Sequence, residues 1–401
     1  MKVVKLKELT LRITDGKHGD CKNEDGSGFY FVSCKDVFGD IVHYENARQI
    51  TKDDFIDANK RTDLAPNDIL ITNSGTIGRM AIVKDIPETK RTTFQKSVAI
   101  VRADTKNVLP HYLYYLLKNK VSFFINSSNG SAQKNLLLST MRNFEIEYVD
   151  NIKEQERIIT TLSRYDSLIE NYQKQIRLLE EAAQRLYKEW FVNLRFPGHA
   201  NTNIVDGVPE GWEKKCVGDI VEMNPKRPLK KGENATYLDM GNMPTSGSFP
   251  LNWEKKSYNG GARFQNGDVL MARITPCLEN GKTALVSFLK ENEIAFGSTE
   301  YIVLSPKSYI GKEFLYCFCR TESFVRYATN HMVGASGRQR VSNDVISKYE
   351  LIIPPVEIAA RINSIYGTIF DRVKFLSLQI RHLTEARDRL LPKLMSGEIE
   401  V

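Results

Sequence analysis

The sequence contains no long hydrophobic run, which excludes a predicted membrane-spanning helix. The chain has 401 residues, of which 41% are hydrophobic and 26% are charged, and no apolar stretch approaches the roughly 18 residues that a span requires. The first residues, MKVVKLKELTLR, contain neither the apolar core nor the small-residue cleavage site of a secretory signal. We therefore expect a cytoplasmic globular protein, and its length favours two or more domains.

Metal-binding and redox patterns are also missing. The six cysteines include no CxxC pair, and the close pair of Cys317 and Cys319 has no histidine at ligand spacing. The six histidines are dispersed along the chain. We predict reduced, mostly buried thiols, no metal site and no cofactor.

The catalytic motifs of DNA-modifying enzymes are absent as well. NPKR at 224–227 shares only its first two letters with the NPPY motif of adenine methyltransferases. GKT at 281–283 resembles the end of a phosphate-binding loop, but Pro276 stands where that loop requires glycine. Because no carboxylate and lysine cluster of a nuclease is present either, we predict no catalytic residue in this chain.

The sequence does contain an internal repeat. QIRLLEEAAQRL at 175–186 returns as QIRHLTEARDRL at 379–390, which is 204 positions later, with eight of twelve letters identical. Self-similarity at a fixed offset indicates a duplicated structural unit.

Both copies lie within long heptad patterns. Apolar residues alternate steps of four and three from Ile158 to Trp190, and the pattern recurs from Ile362 to Leu394 with one basic intrusion at Arg387. This spacing predicts two long helices, each about 55 Å long, whose apolar seams pack together. The second helix is predicted to begin after Pro354-Pro355 and to weaken at Pro392. The principal seam residues are Leu162, Ile169, Ile176, Leu179, Leu186, Tyr366, Val373, Ile380, Leu383 and Leu390.

The regions that precede the two helices resemble each other more faintly. Short alternating apolar segments with glycine and asparagine turns predict strands, and helices are predicted near 110–127 and 312–330, so each region should be α+β. The matching stretches are PNDIL at 66–70 with NGDVL at 266–270, FQKSVAIV at 94–101 with FGSTEYIV at 296–303, HYLYYLL at 111–117 with EFLYCFC at 313–319, and GSAQKNL at 130–136 with ASGRQRV at 335–341.

The order of these regions predicts four segments. They are a first globular domain at 1–151, a first spacer helix at 152–195, a second globular domain at 196–353, and a second spacer helix with a C-terminal tail at 354–401. Pairing of the seams sends the second helix back towards the first domain. We therefore predict an α+β protein with a pseudo-twofold internal repeat, in which a long antiparallel two-helix coiled coil separates two globular domains.

A rigid spacer between two related but diverged globular domains suits the recognition of two separate sites on one polymer. Duplex DNA is the natural candidate, because the spacing of half-sites then follows the geometry of the protein. The net charge of +7 favours a polyanionic partner, although basicity alone is a weak indication. Since the two globular domains differ in sequence, we expect the two half-sites that they bind to differ in sequence as well.

The arrangement resembles the specificity (S) subunit of type I restriction-modification systems, over essentially the whole chain. The two heptad helices correspond to conserved regions of that family. The start of the first helix departs from the family pattern, because VDNIKEQERI stands where a proline pair is usual. Further matching stretches are EWFVNLRFPGH at 189–199, VPEGW at 208–212, SGTIGRMAIV at 74–83, ARITPCLENGKTA at 272–284, GSTEYIVL at 297–304 and IIPPVEIAARI at 352–362.

The resemblance implies a division of labour. The globular domains would be target recognition domains that read an asymmetric, interrupted site in double-stranded DNA. The coiled coil would dock two DNA methyltransferase subunits, which methylate adenine at N6 using S-adenosylmethionine, and restriction subunits would complete the complex. The S subunit itself is expected to be non-catalytic.

Candidate DNA contacts follow from residue type and loop context. Asparagine and glutamine can pair with adenine, arginine and lysine with guanine, and any cation can contact a phosphate. In the first domain the candidates are Lys17, His18, Arg79, Arg91, Gln95, Lys96, Gln133, Lys134 and Asn135. In the second domain they are Lys226, Arg227, Arg263, Arg273, Lys282, Ser298, Arg338, Gln339 and Arg340.

Other interpretations remain open from the sequence. Each candidate contact can instead be a solvated or structural residue, and the charges that flank the seams, such as Glu181 and Glu385, are commonly just a solvated helix face. Their presence in both copies nevertheless suggests a shared docking surface. The alternatives for the whole chain are a coiled-coil scaffold that binds no DNA and a standalone DNA-modifying enzyme.

Overall fold

The computed structural model describes residues 1–128, 135–250, 252–307 and 309–400. The chain divides into two compact units. Unit 1 comprises Met1–Ser167 and Leu383–Val401, and unit 2 comprises Leu168–His382. Among the described helices, none combines the length and the hydropathy that a bilayer crossing requires.

Unit 1 is built around an antiparallel four-stranded sheet in the order β2-β9-β6-β7. A second pair, β1 with β10, is antiparallel, and β3 pairs with β8 in parallel. The strands are β1 (Lys2–Lys5), β2 (Thr10–Asp15), β3 (Tyr30–Val32), β4 (Val37–Phe38), β5 (Ile41–Val42), β6 (Ile69–Thr72), β7 (Met80–Ile82), β8 (Thr92–Phe94), β9 (Val98–Ala103) and β10 (Glu145–Tyr148). The helices of this region are α1 (Lys52–Thr62), α2 (Pro110–Lys118), α3 (Val121–Asn126) and α4 (Leu138–Asn143).

Two long helices carry the heptad seams, as the sequence predicted. They are α5 (Ile152–Tyr187), which is followed by a π-helical turn at Lys188–Val192, and α10 (Val356–Met395). At the start of α5 the side chain of Asn151 accepts the N–H of Lys153 at 2.9 Å, so an asparagine cap takes the place of the proline pair. The second helix begins directly after Pro355 and continues through Pro392.

Unit 2 repeats the main strand pairings of unit 1. One four-stranded antiparallel sheet has the order β14-β21-β18-β19, and β13 pairs with β22. The parallel pair of β15 and β20 is extended here into a second four-stranded sheet in the order β16-β15-β20-β17. The strands are β11 (Ile204–Val205), β12 (Val208–Pro209), β13 (Glu213–Cys216), β14 (Val221–Met223), β15 (Asn234–Leu238), β16 (Glu254–Ser257), β17 (Ala262–Phe264), β18 (Val269–Ala272), β19 (Thr283–Leu285), β20 (Ala295–Gly297), β21 (Tyr301–Pro306) and β22 (Glu350–Ile353). The shorter helices are α6 (Val217–Ile220), α7 (Lys312–Cys319), α8 (Glu322–Asn330) and α9 (Asn343–Ser347).

The predicted α+β class is confirmed, and apolar burial explains the central strands. All four residues of β6 and all four of β18 are buried, because helices or loops cover both faces of each sheet. The predicted helices near 110–127 and 312–330 are each two helices, α2 with α3 and α7 with α8. All six cysteines are free thiols; Cys21, Cys317 and Cys319 are buried and the others are half-buried.

The seam residues differ in their burial. Leu162, Ile169, Tyr366 and Val373 are buried. The remaining predicted seam residues are half-buried, namely Ile176, Leu179, Leu186, Ile380, Leu383 and Leu390. Within unit 2, the Tyr366 hydroxyl donates a hydrogen bond to the Ala183 carbonyl at 3.2 Å and joins α10 to α5.

Candidate nucleic-acid interface

Three segments of unit 2 meet beyond the end of β18. The backbone N–H of Arg273 donates to the carbonyl of Glu300 at 3.0 Å, and the N–H of Val341 donates to the carbonyl of Arg273 at 3.0 Å. An isolated bridge also pairs Ile274 with Arg340. We call these segments, residues 273–275, 298–300 and 339–341, rim 2.

Unit 1 contains the same arrangement beyond the end of β6. The N–H of Asn73 donates to the carbonyl of Ser97 at 3.0 Å, and the N–H of Leu136 donates to the carbonyl of Asn73 at 2.8 Å. An isolated bridge pairs Ser74 with Asn135. Residues 73–75, 95–97 and 135–136 therefore form rim 1, which corresponds to rim 2 bond by bond.

The strand register corrects one part of the sequence comparison. Leu70 of β6 pairs with Ile100, whereas its counterpart Leu270 of β18 pairs with Val303. The sequence match of FQKSVAIV with FGSTEYIV aligned Ile100 with Ile302, whereas the register aligns Ile100 with Val303, so that match is wrong by one residue. Hydrogen-bond register defines structural equivalence in a sheet, and it makes Ser97 the counterpart of Glu300.

Rim 1 gathers several of the predicted contacts of unit 1. Gln95, Lys96 and Asn135 belong to it, and the N–H of Lys96 donates to the carbonyl of Lys17 at 3.1 Å. The ammonium of Lys17 lies 3.0 Å from a carboxylate oxygen of Asp57. That contact, through a hydrogen bond, raises the pKa of Lys17 above its ordinary value.

The remaining candidates of unit 1 lie around this rim or outside the described residues. His18 contacts Asp15 at 3.0 Å and is largely exposed. Arg79 and Arg91 are exposed, and Arg79 donates to the carbonyl of Cys34 at 3.4 Å. Gln133 and Lys134 lie outside the described residues.

Rim 2 contains Arg273, Ser298, Gln339 and Arg340 among the predicted contacts. Arg340 binds Glu300 through two nitrogens, with Nε at 2.9 Å and Nη2 at 2.7 Å from carboxylate oxygens. This bond lowers the pKa of Glu300 below its usual value. Arg338, in the neighbouring glycine-containing loop, is exposed, and Gln339 is half-buried.

Two predicted contacts in unit 2, Arg227 and Arg263, have partners within the fold. Nη2 of Arg227 lies 2.6 Å from one oxygen of Asp268, whose side chain is 1% exposed, and the carbonyl of Arg227 accepts a hydrogen bond from Arg263. Burial raises the pKa of Asp268 even though Arg227 opposes the shift. In unit 1, Arg102 binds the corresponding Asp68 at 2.8 Å, so this arginine has a structural role in that unit.

The other two candidates lie apart from these pairs. Lys282 donates one N–H of its ammonium to the carbonyl of Met240 at 2.6 Å. Lys226 is exposed. Whether any candidate contacts DNA stays a prediction.

Asn73 was not among the contacts predicted from the sequence. Its Oδ1 is buried without a hydrogen-bond partner among the described residues, and the same is true of Nε of Arg273. The stretches DILITN at 68–73 and DVLMAR at 268–273 match each other, and each ends on a polar residue directly after a strand. This match could have indicated Asn73 as the counterpart of Arg273.

A charged cluster joins the long helices to the globular part of unit 1. Nη1 of Arg387 lies 2.6 Å from Asp166 and 3.2 Å from Asp40, and Lys118 binds Asp40 at 2.5 Å. Burial opposes ionisation of Asp40, but Lys118 and Arg387 together lower its pKa below the usual value. We call these four residues the charged latch.

Unit 2 uses a different polar contact between a long helix and its globular part. Glu180 of α5 accepts hydrogen bonds from the N–H and the hydroxyl of Ser248, each at 2.6 Å. Burial raises the pKa of Glu180, although the bonds from Ser248 reduce the shift. Arg320, the counterpart of Lys118, donates to the carbonyl of Thr245 at 3.0 Å.

The side chains of the two rims are suited to hydrogen bonding with a ligand. Within the described ranges, no group of three or more histidine, cysteine, aspartate or glutamate side chains could hold a metal ion. The two rims present amide, guanidinium and ammonium groups beside sheet ends. Such groups can donate hydrogen bonds to base edges or to phosphates.

Comparison with known proteins gives consistent matches. The family model of the type I restriction modification DNA specificity domain matches residues 1–181 and 209–381. The MjaIX specificity subunit of a type I restriction enzyme from Methanocaldococcus jannaschii is 29% identical over 350 residues, which cover 83% of this chain and 78% of that protein. The EcoAI specificity subunit from Escherichia coli is 29% identical over 194 residues, or 47% of this chain and 33% of that protein.

A solved structure shows the same fold. The crystal structure of a type I restriction-modification S subunit from M. genitalium aligns with a TM-score of 0.56 at 15% sequence identity. The alignment covers 98% of this chain and 96% of that one.

Proposed function

We propose, from the premise that this chain belongs to the type I restriction-modification DNA specificity family, that it reads a bipartite DNA site with its two rims. The resemblance predicted from the sequence is confirmed, and the chain is a specificity subunit and not an enzyme. Rim 1 would read one half-site and rim 2 the other. The chain would thereby direct the modification chemistry of partner subunits.

The duplicated rim is the observation that carries this proposal. Both rims have the same backbone hydrogen bonds, yet their side chains differ: Asn73 corresponds to Arg273, Asn135 to Arg340 and Ser97 to Glu300. A common scaffold with different donors and acceptors suits the recognition of two different sequences. It therefore supports an asymmetric site.

The partners are proposed from the family. We propose that α5 and α10 dock two DNA methyltransferase subunits, and that restriction subunits complete the complex. Charged residues repeated on both helices, such as Glu181 and Glu385, offer a docking surface of the same kind on each. We also retain, as a proposal, the division into recognition domains at 1–151 and 196–353 and spacer helices at 152–195 and 354–401.

The direct test is co-expression with the neighbouring methyltransferase gene in a host without adenine methylation, followed by long-read mapping of N6-methyladenine. We expect one asymmetric, gapped motif that appears only when both genes are present. If the methyltransferase is intact and expressed but no motif appears, the specificity function is wrong for this pair.

A binding experiment separates DNA recognition from the scaffold alternative. Affinity of the purified chain for duplex DNA should fall as salt rises, because cations of the protein displace counterions from phosphates. An affinity for DNA that did not change with salt concentration would contradict the proposed phosphate contacts.

A further inference from the structure

Five buried side-chain atoms in the described part of the chain have no hydrogen-bond partner. They are Oδ1 of Asn73, Nε2 of Gln184, Nε of Arg227, Nε of Arg273 and Oδ1 of Asn343. Native proteins hydrogen-bond the large majority of their buried polar groups, so each exception needs an explanation. Two of these atoms, in Asn73 and Arg273, occupy equivalent positions of the two rims.

The equivalence of these positions rests on the backbone. Each residue follows the buried strand of its sheet, donates its N–H to the neighbouring turn at 3.0 Å and accepts an N–H from the third segment of its rim. An unpaired polar atom at the same point of two diverged units is therefore a repeated feature. A ligand common to both units would supply the missing partner.

Neighbouring side chains that could pair with these residues are already engaged. The carboxylate of Glu300, next to Arg273, is bound by Arg340. In rim 1 the hydroxyl of Ser97 accepts the N–H of Cys34 at 3.1 Å. In each rim the residue beside the unpaired one thus has a hydrogen-bond partner, whereas Oδ1 of Asn73 and Nε of Arg273 have none among the described residues.

Both unpaired atoms are buried, so each must turn outward to meet a ligand, and this movement breaks no hydrogen bond of that atom with the described residues. Arg340 would have to release Glu300, and Arg227 would have to release Asp268, before either could bind a base through the same nitrogens. Oδ1 of Asn73 and Nε of Arg273 give up no hydrogen bond with the described residues. They would instead gain one in the complex, which makes them the favoured readers.

The residue types specify which bases they fit. An asparagine pairs with adenine by accepting from N6 and donating to N7, and an arginine pairs with guanine by donating to N7 and O6. We infer that Asn73 reads an adenine in one half-site and that Arg273 reads a guanine in the other. This inference rests on the proposed function as a DNA-reading subunit.

The test selects binding sites from a pool of random duplexes with the full-length chain. Asn73→Leu and Arg273→Met remove the polar groups and keep similar side-chain volumes. We expect Asn73→Leu to lose the preference for one adenine and Arg273→Met the preference for one guanine, each by roughly 5- to 150-fold, the range of a bidentate base contact. The half-site of the other unit should stay unchanged in each variant.

Thermal unfolding separates reading from a structural role. Replacement of an unpaired buried polar group by an apolar one should leave the melting temperature equal or higher. Gln184→Met removes a buried unpaired group in α5 and Arg326→Met removes an arginine of α8, and both controls should retain the complete motif. A melting temperature lowered together with uniformly weaker binding would overturn the inference in favour of a structural role.

The outcomes distinguish this inference from the function on which it rests. If the wild-type chain selects no motif, both fail. If the wild type selects a bipartite motif that both variants reproduce, the assignment of Asn73 and Arg273 is wrong while the DNA-reading function stands. If either apolar variant does not fold, Asn73→Asp or Arg273→Gln replaces it. Aspartate cannot donate to N7 of adenine and glutamine cannot donate to both N7 and O6 of guanine, so retention of the full motif by these polar variants overturns the inference.

Discussion

Arg387 of α10 binds Asp166 of α5 with 2.6 Å between Nη1 and Oδ1, although position 387 falls on the apolar seam of its helix. The position equivalent to Arg387 in the first helix is Ala183, and the position equivalent to Asp166 in the second is Phe370; both of these are buried and apolar. Unit 1 thus places an ion pair where unit 2 has hydrophobic packing. Arg387, the basic residue that interrupts the heptad pattern, is therefore the member of the charged latch that α10 contributes.

Loss of Arg387 should destabilise unit 1. Arg387→Ala leaves Asp166 and Asp40 without one of their cations, and we expect the free energy of unfolding to fall by about 2–3 kcal/mol, less than for a fully buried pair because both carboxylates are partly exposed. The double variant Arg387→Ala with Asp166→Phe copies the residues of unit 2 and should recover part of the loss. Urea unfolding measures both, and a double variant weaker than the single one would contradict this account.

Asp40 should make stability depend on pH in the acid range. Its pKa is lower in the folded chain than its ordinary value of 3.8, so ionised Asp40 stabilises the fold above that value and the stabilisation disappears as pH falls through the folded pKa. We expect Asp40→Asn to be less stable than wild type at neutral pH and the difference to shrink as the solution becomes more acidic than pH 4. A difference independent of pH would show that Asp40 is not stabilised through its charge.

Glu180 should show the opposite dependence. Burial raises its pKa in the folded chain above the ordinary value of 4.5, so its ionisation opposes folding at neutral pH and this penalty vanishes once the pH falls below the unfolded pKa. Glu180→Gln keeps an oxygen that accepts from Ser248 and should be at least as stable as wild type at pH 7. Chemical unfolding at neutral and acidic pH checks this, and the advantage of the variant should disappear at low pH.

Arg227 provides a test of structural against DNA-binding roles. Its ion pair with Asp268 is buried, with side chains 10% and 1% exposed, so Arg227→Met should cost about 3–5 kcal/mol of folding free energy by leaving Asp268 unpaired. We expect weakened DNA binding in this variant to accompany lowered stability. Normal stability with selective loss of binding would instead make Arg227 a direct contact.

Lys96 of rim 1 is predicted to contact a phosphate. Lys96→Gln should weaken binding to all sequences alike and reduce the slope of log affinity against log salt by about 1. Lys290→Gln removes an exposed lysine from the connection between β19 and β20 and serves as the control. A change in the selected motif would show that Lys96 reads bases and does not merely bind the backbone.

Local patterns were sufficient to predict the secondary structure that matters most. The steps of four and three predicted α5 and α10, because one face of a helix must be apolar to pack. Alternating apolar segments predicted the central strands β6 and β18. The repeated motifs predicted related units, since duplicated chains retain the residues that shape their turns and cores. The resemblance to known specificity subunits predicted the family.

The candidate site could be predicted only in part. Residue type and loop context identified Gln95, Asn135, Arg273 and Arg340, which do lie on the rims. They did not identify Asn73, nor the engagement of Arg227 with Asp268. Both facts depend on which groups face each other across segments that are distant in sequence.

Periodicity and internal similarity therefore established the α+β fold class, the long helices and the repeat, because each of these is recorded in neighbouring residues or in a fixed offset. The folded chain was needed for the register that pairs Ser97 with Glu300, for the charged latch at Arg387, and for the unpaired atoms of Asn73 and Arg273. Hydrogen bonds and ion pairs are satisfied or left open by three-dimensional neighbours, and no linear pattern specifies those neighbours.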